Sequence, residues 1–233
     1  MIAKGKSISH GTAALEYDLA KEINGEAAAT EIHRHELFGC TGEEMVQEMK
    51  PYHIDFPNVK NNCLRFEVSP SIEESATFTD ADWAELGNDF MQRMGLANHQ
   101  YIIIRHSGTE SKKEQAHLHI LANRVSLSGE LYRDNWIGKK ATEAANAIAK
   151  ERNFVQSQDI GKVNKAEIKE AMDGVLKKMQ GFDFTKFKEE LGKRGFKVRE
   201  ARASTGKLNG YYVTARSGTE YKASEIGKGY TLA

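Results

Sequence analysis

Two apolar runs carrying three histidines constrain this chain most. The first is Tyr101-Ile102-Ile103-Ile104-Arg105-His106, and the second is His117-Leu118-His119-Ile120-Leu121-Ala122-Asn123. In the second run His117 and His119 alternate with Leu118. Alternation is the period of a β-strand, so both imidazoles share one face while Leu118 packs on the other. The first run is β-branched and aromatic, which predicts a buried strand. Ser107 to Gln115 is polar, contains Gly108, and predicts the connection between the two. If the strands pair antiparallel, His106 lies beside the histidine pair. Three neutral imidazoles on a rigid sheet make a metal site with open positions. A rival pair, His33 and His35, also alternates. No apolar strand surrounds it, which predicts a loop or strand edge.

The remaining chain supplies a frame for this pair. Leu64, Phe66 and Val68 alternate with polar residues and predict a third strand. A helix is expected from Thr12, as N-cap, with Tyr17 in its middle. Another follows, with Thr41 or Gly42 as its cap and Glu43 and Glu44 in its first turn, and ends at Pro51. Thr79 caps a third, with Trp83, Leu86, Phe90 and Met94 at helical spacing and Gly95 as its stop. Lys139 to Arg152 is alanine-rich and helical. Met1 to Gly11 holds two glycines, two serines and two lysines, which predicts an irregular, phosphate-friendly loop. Ile23 to Thr30 reads as a Gly- and Ala-rich connection. Val155 to Asn164 reads as a linker. Beyond it, helices at 166–179 and 184–194 and short strands at 196–198 and 211–214 are expected. The fold class is α+β, with a central, mainly antiparallel sheet flanked by helices.

Charge and cysteine content exclude some classes. The 233 residues carry 33 basic and 33 acidic side chains. This balance argues against a long basic tail but not against a local basic groove. Cys40 and Cys63 lack metal-binding or redox spacing and read as reduced thiols. No apolar run reaches the roughly 18 residues of a membrane span, and no leader pattern opens the chain. A soluble cytoplasmic protein without a membrane partner is expected.

The motifs together resemble a mobilisation relaxase of the HUH endonuclease superfamily. The resemblance rests on Gly5-Lys6-Ser7-Ile8-Ser9-His10-Gly11 followed by Tyr17, on Leu64 to Pro70, and on His106 with His117 to Val125. It runs to the closing Ser224-Glu225-Ile226-Gly227. It implies a nickase that cuts one DNA strand at a transfer origin and stays linked to the 5′ end. Tyr17 is then the nucleophile, with His10 as the alternative. His106, His117 and His119 hold a divalent ion, Mg²⁺ or Mn²⁺ first and Zn²⁺ second. Asn123 and Glu67 support the site. Lys4, Lys6, Arg105 and Arg124 are the candidate phosphate contacts. Residues 1–153 form the catalytic core. Residues 154–233 form an extension packed on it, with Lys193, Arg194, Lys197, Arg199, Arg202 and Lys207 as possible duplex contacts. The substrate is single-stranded or melted origin DNA, and the implied partners are auxiliary mobilisation proteins and a secretion coupling protein. A departure is the ten-residue segment between His106 and His117, with Gly108 where the compact family form has Asp. A rolling-circle replication initiator shares the triad but places its Tyr after the histidines. An unrelated zinc hydrolase would form no covalent DNA adduct.

Overall fold

The computed structural model describes residues 1–23, 26–108 and 115–232, with the side chains of residues 23, 26 and 27 left aside. The chain divides into two compact units, Met1–Ser157 and Gln158–Ala233. In chain order the first holds β1 (Ile2–Ile8), α1 (Gly11–Leu19), β2 (Glu22–Ile23), β3 (Glu26–Ala27), β4 (Ala29–His35) and α2 (Gly42–Met49). After these come β5 (Cys63–Ser69), α3 (Ile72–Ser75), α4 (Asp80–Arg93), β6 (His99–His106), β7 (His117–Ser126) and α5 (Ile137–Glu151).

Five strands form one sheet in the order β1-β5-β7-β6-β4, and every neighbouring pair is antiparallel. The two histidine strands are adjacent, with β7 at the centre, as their pattern required. One face carries Leu64, Phe66, Val68, Tyr101, Ile103, Leu118 and Ile120 against Trp83, Leu86 and Phe90 of α4 and Ala141, Ala145 and Ile148 of α5. The opposite face carries Cys63, Ile102, Ile104 and Leu121 against Ala14 and Leu15 of α1 and Met45, Val46 and Met49 of α2. Because β6 is buried on both faces, its sequence is a continuous apolar run and does not alternate. Helix ends follow their local chemistry. Thr41 and Thr79 form capping boxes with Glu44 and Asp82, and Gly95 stops α4 with a φ of 72°.

Several expectations are corrected. Residues 2–8 are a strand, not a loop. Its packed side is Ala3 and Gly5, so small residues hide the apolar alternation. Gly5 lets α5 come close: a Cβ there would stand 2.8 Å from the Phe66 ring and 3.3 Å from Ala141 Cβ. Gly5→Val should therefore lower stability by about 1–3 kcal/mol through overpacking, read as a fall in Tm. α1 starts at Gly11, capped by His10 without a side-chain bond, and not at Thr12. The 23–30 connection contains the β2–β3 hairpin and the start of β4, apart from residues 24 and 25, which lie outside the described residues. His33 and His35 lie on β4, an edge strand, which is one of the two placements expected of them, and His35 stacks on Tyr101 with ring centroids 5.2 Å apart. Of the expected loop from Ser107 to Gln115, residues 109–114 lie outside the described residues.

The second unit holds α6 (Ser157–Leu176, beginning at the boundary), α7 (Phe184–Lys193), β8 (Lys197–Arg202), β9 (Leu208–Thr214), β10 (Glu220–Lys222) and α8 (Ala223–Ile226). The expected linker at 155–164 is mostly the first turns of α6. Ile168, Met172 and Val175 of α6 and Phe187 and Leu191 of α7 bury Tyr211 and Val213 of the sheet. The two expected strands gain a third, β10, in the order β10-β9-β8. No helix among the described residues is long and apolar enough to cross a membrane.

Candidate active site

The three histidines meet where β6 ends and β7 begins. His106 is the direct cross-strand partner of His117, and His119 lies two residues further along the same face. Ring centroids are 4.3–5.4 Å apart, and one nitrogen from each ring lies within 4.8 Å of the others. His106 and His117 are buried.

Hydrogen bonds select the tautomers. His106 Nε2 donates to the Asp18 carbonyl at 2.8 Å, which leaves Nδ1 with its lone pair. His117 Nδ1 donates to the Gln115 carbonyl at 3.1 Å, which leaves Nε2. His119 Nδ1 lies 3.4 Å from Asp18 Oδ1 and 3.2 Å from Arg65 Nη2. Arg65 can only donate, so a neutral His119 accepts from it through Nδ1; moving the ring proton from Nε2 to Nδ1, toward the Asp18 carboxylate, frees Nε2, the usual arrangement of a metal-ligating histidine. Arg65 grips Asp18 through two nitrogens, at 3.1 and 2.5 Å. The set of free lone pairs therefore fits a divalent cation.

Electrostatics agree with that fit. Burial, with help from His117, pulls His106 down to about 4, against the opposing bond to Asp18. Burial and the neighbouring imidazoles pull His119 down to about 2. Neither ring gains a proton at neutral pH, so protons do not compete for these two lone pairs. Burial pushes the Asp18 carboxyl above its ordinary value, with Arg65 working against it. A histidine whose folded value lies below its unfolded 6.5 leaves stability intact above 6.5 and removes it as pH falls toward the folded value. Two such rings outnumber Asp18, whose raised carboxyl acts in the opposite sense. Tm measured in EDTA should therefore fall as pH drops from about 6.5 to about 4. A flat Tm across that window would contradict the buried neutral rings.

The other expected site residues divide. Tyr17 lies on α1 directly before Asp18, 58% exposed and not in the core, with Lys21 Nζ donating to its hydroxyl at 3.3 Å. His10 stands at the opposite end of the same helix, about 12 Å along the axis from Asp18. Glu67 is the cross-strand partner of His119, and Lys4 is in turn the partner of Glu67. Lys4, Glu67 and His119 thus form one row on the histidine face. Lys4 Nζ reaches Glu67 at 3.4 Å, and Lys6 is exposed on the same face.

Three residues are placed elsewhere. Arg105 points to the opposite face and pairs with Asp80. Arg124 is spent on the Tyr132 and Asn61 carbonyls and on Asp134, the last at 2.7 Å. Asn123 is fully buried and bonds His53, Gln100 and the Val125 amide, with no bond to the triad among the described residues. Asp18 and Arg65 were not anticipated. The signal for Asp18 was present, since it follows Gly11, Ala14 and Leu15 on the buried stripe of α1. An acid on such a stripe requires a partner.

The described residues thus bring three histidines together on an antiparallel sheet, packed against a helix that carries an exposed tyrosine. Residues 17–154 match the family model "Relaxase: MobA/VirD2-like, nuclease domain". The match covers more than half of the chain, and the chain belongs to this relaxase family. Among solved structures it is similar to a conjugative relaxase, TrwC, in complex with oriT DNA in a metal-bound state. Identity is 14%, over 89% of this chain and 74% of that chain, with a TM-score of 0.36. No curated protein sequence matches the chain.

Proposed function

We propose that this relaxase nicks single-stranded or melted DNA at a transfer origin through attack by Tyr17, for mobilisation of a plasmid or mobile element. The observation that carries the reading is Asp18. Its carbonyl and carboxylate face two of the three histidines, and its backbone is continuous with Tyr17. One residue thus ties the attacking group to the triad.

The Tyr17 oxygen bonds to phosphorus while the bond from phosphorus to the 3′ oxygen breaks. The phenol proton passes to water, which reaches the exposed ring, and the leaving oxygen takes up a proton as the 3′-hydroxyl. The product is a 5′-phosphotyrosine, and the reverse attack by the 3′-hydroxyl rejoins the strand. Lys21 holds the phenolic oxygen and supplies a counter-charge there. A divalent ion held by His106 Nδ1, His117 Nε2 and His119 Nε2, with Mg²⁺ or Mn²⁺ ahead of Zn²⁺, would supply Lewis acidity to the non-bridging phosphate oxygens. Lys4 and Lys6 bind flanking phosphates. His10, at the other end of α1, is the alternative nucleophile.

The 158–233 unit adds duplex contacts in this reading. Lys197 and Lys222 lie exposed on one sheet face with Arg199, which stacks over the Tyr212 ring at 4.1 Å and is itself paired with Glu220 at 3.0 and 2.7 Å. Lys193, Arg194 and Arg202 are engaged by Glu190, the Ala171 carbonyl and Glu200. The test of the nickase is incubation with a random single-stranded DNA library and Mn²⁺, followed by denaturing electrophoresis. Recovered adducts should share a sequence 3′ to the cut. Cleavage without any protein-linked DNA would favour a hydrolase instead.

A further inference from the structure

The chain has two tryptophans, and they occupy opposite environments. Trp83 is buried in the core, whereas Trp136 is 80% exposed. Trp136 also has a left-handed backbone, with φ 58° and ψ 28°. That conformation costs a residue with a Cβ roughly 1–2 kcal/mol, and glycine or asparagine adopts it readily. The turn into α5 demands it: the Ile137 amide donates to the Asp134 carbonyl at 3.0 Å, and the Trp136 carbonyl receives the first helical bond from Lys140. Glycine would serve this turn better. A tryptophan here carries a backbone penalty and leaves a large apolar ring in water, and neither aids folding.

The surroundings say what the indole is for. Arg133 beside it is exposed, as is Lys139, whose Nζ lies 3.7 Å from Glu143. Lys140 lies over the Tyr132 ring at 4.8 Å. The one nearby acid in the turn, Asp134, is already neutralised by Arg124. By contrast, exposed Phe38 lies among Glu36, Glu44 and Glu48, and its amide bonds Glu48, which would repel a phosphate chain. The start of α5 lies over β1, since a Cβ on Gly138 would stand 3.5 Å from the Gly5 carbonyl. Gly5 faces α5, whereas its neighbours Lys4 and Lys6 point to the opposite, histidine face of this edge strand, where the Lys4 row leads to His119 two strand spacings away, about 10 Å. Aromatic faces set among cations are how proteins hold unpaired bases without sequence preference.

We propose that Trp136 is a stacking platform for an unpaired base of a DNA strand that passes round the β1 edge of the sheet toward Lys4, Lys6 and the histidines. The proposal rests on the single-strand substrate reading above. It is tested with the full chain in EDTA, so that no cleavage intervenes, and with a 20-nucleotide oligodeoxythymidine as probe. The difference between wild-type and Trp136→Ala emission isolates Trp136. This difference signal should be quenched as the oligonucleotide is added, because a stacked base quenches indole. Trp136→Ala should bind the same probe roughly 5- to 150-fold more weakly by fluorescence anisotropy, and Trp136→Phe should recover most of the loss. Trp136→Gly should raise Tm while weakening binding, a pair of opposite signs that a structural role cannot give. Binding without quenching, or equal affinity for Trp136→Ala, overturns the platform. If the wild-type protein binds no single strand at all, the substrate reading itself is overturned.

Discussion

Tyr17→Phe should abolish the covalent protein–DNA adduct and lower cleavage at least about 1000-fold, the scale of removing a nucleophile. The substitution deletes one oxygen from a ring that is already exposed, so the core loses nothing and folding stability should stay within about 0.5 kcal/mol of the parent. The triad is untouched, so Mn²⁺ binding by calorimetry should be unchanged. Lys21 loses its hydroxyl partner but keeps the ring beneath its ammonium, 5.4 Å away. Single-strand binding should persist. The result to look for is therefore a separation: binding and metal affinity retained, chemistry lost. An adduct that survives in Tyr17→Phe would transfer the role to another residue, with His10 next to be tested.

Asp18→Asn should have the second large effect, on two quantities that can be separated. The carboxylate is buried and is the anion for Arg65. Removing one partner of such a pair leaves a charge without compensation and costs about 3 kcal/mol or more. It also replaces the carboxylate beside His119 with a neutral amide, a weaker acceptor, a kind of change that typically weakens metal affinity 10- to 100-fold. Replacing both partners, as Asp18→Leu with Arg65→Met, should recover most of the stability because no orphan charge remains. It should not recover metal affinity, because the His119 acceptor is still missing. Calorimetry with Mn²⁺ beside thermal unfolding in EDTA reads the two effects apart. If affinity returns along with stability, Asp18 acts only through folding.

These two predictions concern residues of unequal legibility. Tyr17 was visible through its place before the strand and histidine motifs. The histidine strands were visible because period and composition act locally and both faces of β6 are apolar. Helices α2 and α4 showed their caps for the same reason, since a capping side chain is within three residues of what it caps. What was hidden depends on partners distant in sequence. Asp18 meets Arg65 and the triad only when α1 lies on the sheet. Arg105 and Arg124 look like free cations until Asp80 and Asp134 reach them. β1 was obscured because its packed residues are small to admit α5, and smallness reads as loop.

The pairing of His106 with His117 across two strands has a consequence for how the chain reaches its native form. Side chains alternate with period two, so a slip of one residue between β6 and β7 would carry His117 and His119 to the face opposite His106. A misaligned sheet then has no complete ligand set. An ion that binds only the aligned form stabilises it by about 2.7 kcal/mol at a hundredfold excess over its Kd. The metal would proofread strand alignment, and the yield of correctly refolded chain should rise when Mn²⁺ is present during refolding and not merely added afterwards.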